Sequence, residues 1–183
     1  MYWPAPGIKR HPERRWRRPD RIFFGHGACH ILAGVYLEMH PLPSFFAERI
    51  VPDDGFSGGH AYVTDGTIAF DHRGYSVRRR LLAHHARGWA ARYPGWRGRV
   101  EPIDFALLQT GELNLRGMLG PDQYFDDPIP RARRFIERVD HATASRRAAA
   151  LAIVDRTAGR NPRSLTEADA LDLYQRAYDG RLG

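Results

Sequence analysis

The sequence predicts an α+β fold, a helix and short strands followed by a helical C-terminal region. Three stretches carry that expectation. Residues 28–40 place Ile31, Leu32, Val35 and Met39 on one helical face, directly after the glycine-punctuated Phe23-Phe24-Gly25-His26-Gly27. His60 to Thr64 and Thr67 to Asp71 are short apolar runs joined by Asp65-Gly66. That pair is a strong hairpin signal, because both central residues of a type I′ turn need positive φ. From Pro130 onward the pattern becomes helical, over 131–141, over 145–157, and from the capping-box sequence Ser164-Leu165-Thr166-Glu167 to near Gly180.

The remaining elements follow in order. Residues 1–21 form a basic N-terminal arm, centred on Lys9-Arg10-His11-Pro12-Glu13-Arg14-Arg15-Trp16-Arg17-Arg18-Pro19. An α+β core spans 22–127 and a helical extension 128–183. Arg21-Ile22-Phe23-Phe24 reads as a short strand. Pro41 and Pro43 end the helix that begins at residue 28. Residues 44–51 read as a strand by their aromatic and branched content, and 52–59 as a loop. Leu81, Leu82, His85, Trp89 and Tyr93 give a helix over 76–93, stopped by Pro94-Gly95. Residues 99–105 form a further strand, which Pro102 assigns to an edge. Between 106 and 127, Gly111, Gly117, Gly120 and Pro121 break any long element into an irregular connection.

At 183 residues the chain is long enough for one domain with a sizeable core, and 43% hydrophobic and 11% aromatic content makes it globular. No apolar run approaches the ~20 residues of a membrane span. The N-terminal residues lack the apolar centre of a signal peptide, so the expected compartment is cytoplasmic. Cys29 is the only cysteine, which rules out an internal disulfide and leaves a free thiol to explain. The formal net charge is +7, and Lys9 is the only lysine among 28 basic residues, the others being arginine. Such a surface attracts phosphate and acidic partners.

The chemistry concentrates around that thiol. Cys29 falls at the first turn of a helix, where unpaired N–H groups and the positive end of the dipole favour a thiolate. If Asp65 and Gly66 alone make the turn, Thr64 faces Thr67 and His60 faces Asp71, with Cβ atoms about 5 Å apart. His60 then acts as base toward Cys29 while Asp71 fixes its tautomer. The backbone N–H of Cys29 is one oxyanion donor, and His26 and His30 are candidates for the second. Gly27, Gly59 and Tyr62 are candidates for the substrate cleft.

This order, a cysteine opening a helix, a histidine opening a strand and an aspartate closing the next, resembles the papain-like cysteine hydrolase superfamily. The likeness is to its compact transglutaminase-like and NlpC/P60-like branches. It rests on Gly27-Ala28-Cys29-His30-Ile31-Leu32-Ala33, Gly59-His60-Ala61-Tyr62-Val63 and Phe70-Asp71, and covers residues 22–75. The resemblance implies a papain-like core, in which the helix packs on an antiparallel sheet, and a thiol-dependent hydrolase or acyltransferase acting on an amide or thioester bond of a peptide or protein substrate. It implies no cofactor and no metal. His30 stands where papain-like peptidases commonly carry tryptophan, and Tyr62 stands where transglutaminases often do. No oxyanion glutamine precedes the cysteine near Phe23.

Two other readings compete. His26, Cys29, His30, His60 and His72 include metal-ligating types, with ligand-like spacing in His26-x-x-Cys29. Alternatively, the chain is a catalytically inactive papain-like protein that binds nucleic acid or another acidic partner through its arginine-rich surface. Oligomeric state is left open by the sequence.

Overall fold

A computed structural model describes residues 11–157. The start of the basic arm and the helix expected over 164–180 lie outside the described residues. The chain runs through α1 (Pro12–Trp16), α2 (Asp20–Gly25), α3 (Cys29–Met39), β1 (Phe46–Pro52), β2 (His60–Thr64), β3 (Ile68–Asp71) and β4 (Gly74–Val77). It continues through α4 (Arg78–Arg92), β5 (Gly98–Pro102), α5 (Thr110–Asn114), α6 (Pro128–Glu137) and α7 (His141–Thr157). A single 3-10 turn at Pro121–Gln123 interrupts the irregular stretch before α6. The five strands make one antiparallel sheet in the order β4-β3-β2-β1-β5. The fold is thus mixed α+β, as expected, and β5 does lie at an edge.

Alternation along the strands divides the core in two. Ala47, Val63 and Phe70 point to the face covered by α3, together with Phe23, Phe24, Ile31, Val35 and Tyr36. Ile50, Tyr62 and Ala69 point to the other face, under Leu81 of α4 and Trp96. α3 is buried from His30 through Tyr36 without a break, because the sheet covers one side and α6 another. A single apolar stripe therefore understates how deeply it sits. Gly34 permits this closeness: a Cβ there would meet Leu107 and Leu108 side-chain atoms at 2.9 Å. The helix ends at His40, which adopts the left-handed conformation and returns its N–H to Tyr36 O before Pro41.

Several expectations change. Residues 21–24 are helical, within α2. Phe23 and Phe24 are 2% and 0% exposed, set edge-on to each other, with Phe23 against Trp16 and Phe24 against Phe135. Tertiary aromatic packing outweighs the strand preference of the pair. The basic arm is also structured: residues 12–16 form α1, and Arg15 is buried. Finally, α6 is not an appendage. Asp127 caps it through the Ile129 N–H at 2.9 Å, and Ala132 and Ile136 are fully buried in the core that holds α3. Residues 76 and 77, expected to start a helix, instead end β4, which pairs with β3 through a tight turn at His72-Arg73. No helix among the described residues is long and apolar enough to cross a membrane.

The β2–β3 hairpin departs from the two-residue turn. Thr64 faces Ala69, not Thr67, and Val63 faces Phe70. The Asp65 carboxylate accepts the N–H groups of both Thr67 and Ile68 at 2.8 Å, which holds a longer loop closed. The register moves by two residues. Because side chains alternate with a period of two, His60 and Asp71 keep a common face and become diagonal neighbours.

Replacing Ile136 by alanine should therefore cost ~2–5 kcal/mol in chemical denaturation, with one cooperative transition retained. A separately unfolding C-terminal extension would instead give two transitions.

Candidate active site

Cys29 opens α3, and no side chain caps that end, so the first backbone N–H groups keep no side-chain acceptor. His60 is the first residue of β2 and Asp71 the last of β3, so hairpin geometry delivers both to one end of the sheet. His60 Nε2–H donates to Asp71 Oδ2 at 3.2 Å. The Ala61 N–H donates to Cys29 Sγ at 3.3 Å, which sets the sulfur against the start of β2 beside His60. The structure therefore pairs His60 with Asp71 and sets Cys29 against the first residues of β2.

The loops before Cys29 and His60 are held by contacts that require glycine. Gly27 has φ +118, and its missing Cβ leaves room for the Arg15 guanidinium, whose Nη2 donates to Gly27 O at 2.6 Å. Tyr124 OH donates to the same carbonyl at 2.9 Å. Gly58 has φ +119, and the indole of Trp89 occupies the space a side chain would need. His85 Nε2–H donates to Gly58 O at 2.7 Å, and Trp96 Nε1–H to Ser57 O at 2.8 Å. Neither loop is free to drift relative to the helix or strand it feeds.

Electrostatics sort the local groups into charged and neutral. Asp71 is 2% exposed. Burial opposes its ionisation, but His60, His72 and Arg73 more than offset this and hold the carboxyl well below the usual carboxylate range. Arg73 contributes its backbone N–H to Oδ1 at 2.8 Å and its guanidinium to Oδ2 at 3.1 Å. Burial likewise disfavours a charged His60, yet hydrogen bonds to Asp71 and Cys29 raise it to about 9. For Cys29, burial pushes the thiol up, while hydrogen bonds to His30 and His60 and the charge on His60 hold it well below its ordinary value. Two more imidazoles lie against His60: His85 stacks at 5.6 Å and His72 stands edge-on at 5.4 Å. Burial and the charge on His60 lower both to about 4. Of the three rings, only His60 carries a proton pair at neutral pH, and its counter-charges are the Asp71 carboxylate and the Cys29 thiolate.

A cleft of about 450 Å³ opens over Cys29, lined among others by Arg15, Gly27, His30, Gly59 and His60. Gly27 and Gly59 thus sit where a substrate would lie. Tyr62 does not: it is 1% exposed on the α4 side, its hydroxyl donating to Glu48 Oε2 at 2.6 Å. Strand alternation from His60 carries it inward. His26 lines a second cavity of about 230 Å³, behind His60, with His72 and His85. It is therefore not placed as an oxyanion donor. His30 Nε2–H donates to Leu119 O at 2.8 Å, so that proton is committed to a backbone carbonyl and not to an oxyanion. The same ring helps to hold the Cys29 thiol below its ordinary value.

His60, Asp71 and His72 each present a potential metal-ligand atom, and these lie within 4.8 Å of one another. The Arg73 guanidinium on the same carboxylate opposes a second cation there. Of the five residues that the sequence offered as ligands, His60 and His72 fall in this group, and among the described residues His26, Cys29 and His30 do not join it. Sequence reading missed Arg15, Arg73, His85, Trp89 and Tyr124 as parts of the site, and named His72 only as a metal-ligand candidate. Of these only Arg73 had a local signal, two residues after Asp71.

Fold and site together define an α+β protein with a thiol at the start of a helix, beside an imidazole–carboxylate pair, under a cleft that Cys29 and His60 line. No protein-family model, curated protein or solved structure matches the chain.

Cys29 should react with iodoacetamide at pH 6 within about threefold of its rate at pH 8, since its thiolate is already formed. A thiol with an ordinary pKa of about 8.5 loses roughly a hundredfold over that interval. Asp71→Asn should restore the ordinary, steep dependence, followed by mass spectrometry of the alkylated peptide.

Proposed function

We propose that the chain is a thiol-dependent hydrolase or acyltransferase that acts on an amide or thioester bond, with Cys29 as nucleophile, His60 as acid–base group and Asp71 as its orienting partner. The supporting observation is the buried His60–Asp71 hydrogen bond beside Cys29, with Cys29 and His60 both lining a cleft large enough for a peptide segment. The same ordering of residues underlies the resemblance to the papain-like superfamily, here in its transglutaminase-like and NlpC/P60-like branches.

In this reading the Cys29 thiolate attacks the substrate carbonyl carbon, and the carbonyl oxygen takes up the negative charge. The backbone N–H groups at the uncapped start of α3 stabilise that oxyanion. The His60 imidazolium gives its proton to the departing amine or thiol as the carbon–leaving-group bond breaks, leaving a thioester on Cys29. Water, or an acceptor amine in a transferase, then loses a proton to His60 while attacking the thioester, and Cys29 departs as thiolate. Asp71 retains its charge throughout and holds Nε2–H in place, so Nδ1 is the nitrogen that serves the sulfur. A peptide or protein is the substrate class that suits the cleft.

The test is turnover of thioester and peptide-amide substrates, with a thiol-directed activity probe in parallel. Cys29→Ala should abolish both signals. His60→Ala should reduce turnover by about 10²–10⁴-fold. Activity in the native protein should fall as pH rises through about 9, because His60 then loses the proton it must deliver. Full labelling and turnover in Cys29→Ala, or a pH profile with no loss on the alkaline side, would overturn the assignment.

A further inference from the structure

Two arginines line the cleft over Cys29, and their environments differ. Arg49 is neutralised: its Nε and Nη2 both donate to Glu101 Oε2, at 3.1 and 2.8 Å. Arg15 has no carboxylate partner among the described residues. It is 8% exposed, its Nη2 donates to Gly27 O at 2.6 Å, and its guanidinium stacks 4.8 Å above the Tyr124 ring. Its Nε is buried without a hydrogen-bond partner.

A buried cation with an unpaired donor is costly unless a counter-charge arrives. The aromatic face beneath it supports the charge without neutralising it. Gly27 links this cation to the chemistry, since the carbonyl that Arg15 holds lies two residues before the nucleophile. A guanidinium locked by stacking and by a backbone carbonyl is also preorganised for a planar anion, which it can meet with its remaining N–H groups.

We propose that Arg15 is the specificity determinant of the cleft, and that the acyl group accepted by Cys29 carries a carboxylate beside the scissile carbonyl. This rests on the reading of Cys29 as nucleophile, and it adds the charge of the substrate. An acidic side chain and a free chain terminus would both supply that carboxylate.

Two alkylating agents of nearly equal size separate the ideas. In each, the Cys29 sulfur bonds to the methylene carbon while the carbon–iodine bond breaks and iodide leaves with the electron pair. Iodoacetate carries the carboxylate and iodoacetamide does not. At pH 6 and constant ionic strength, the ratio of the iodoacetate rate to the iodoacetamide rate at Cys29 should exceed that of free glutathione by about tenfold or more. Arg15→Gln should lower the ratio by a similar factor. A purely structural role for Arg15 would move both rates together and leave the ratio unchanged.

A second measurement needs no variant, and so survives a failure of Arg15→Gln to fold. N-acetylglutamic acid α-amide, with a side-chain carboxylate, and N-acetylglutamine, with a terminal one, should be compared as protectants of native Cys29 against iodoacetamide. Saturable protection by either, absent with neutral N-acetylglutaminamide, supports the proposal and identifies the source of the carboxylate. A glutathione-like ratio with no protection by either anion overturns it while leaving the nucleophile assignment intact. Failure of iodoacetamide itself at pH 6 overturns both.

Discussion

The buried Asp71 carboxylate is the constraint on which the rest of the site depends. An ion removed from water at this depth persists only if its oxygens are fully engaged, and here His60, the Arg73 guanidinium and the Arg73 backbone N–H engage them. The arrangement transmits charge in one direction. An anion that cannot take up a proton keeps His60 protonated, and a protonated His60 keeps Cys29 ionised. The neighbouring rings of His72 and His85 stay neutral for the same reason, since a second positive charge beside His60 would be repelled as well as desolvated. A cluster that looks rich in histidine is electrostatically a single imidazolium between two anions.

Preorganisation comes from flat side chains laid against bare backbone. Arg15 with Tyr124 fixes the approach to α3, and Trp89 with His85 fixes the approach to β2. These partners come from α1, the 121–124 turn and α4, so segments distant in sequence converge on two glycines. The sheet and α3 alone would set the reacting residues roughly in register. The outer elements remove the residual freedom that would otherwise spread the sulfur-to-nitrogen distance.

Much of this was legible from local pattern. The helix after Gly27, the strand at His60 and the strand ending at Asp71 were all readable, because each has a strong period and clear boundaries in its own residues. The contact between His60 and Asp71 followed from the face that alternation assigns them. What could not be read was decided by packing between distant segments. Phe23-Phe24 carries strand-forming residues, but Trp16 and Phe135 make a helix the better-packed choice. Arg15 looked like one of several solvated arginines, and nothing within the basic run indicates that it alone is turned inward onto Tyr124. Tyr62 was misplaced for a different reason: proximity to His60 in sequence suggested the cleft, whereas the strand continues into the α4-side core.

The loop between β2 and β3 carries a parity rule. Asp65 closes a connection two residues longer than the minimal reversal, and the imidazole and carboxylate still meet because the pleat repeats every second residue. An insertion of one residue would send the acidic group to the opposite side, among Val63, Phe70 and the aromatic wall beneath α3. An insertion of two would return it to the correct side at a different offset. Over descent, this connection is thus free to vary in even steps and barred from odd ones, so length polymorphism at a single exposed loop would report whether the chemistry beneath it has been kept.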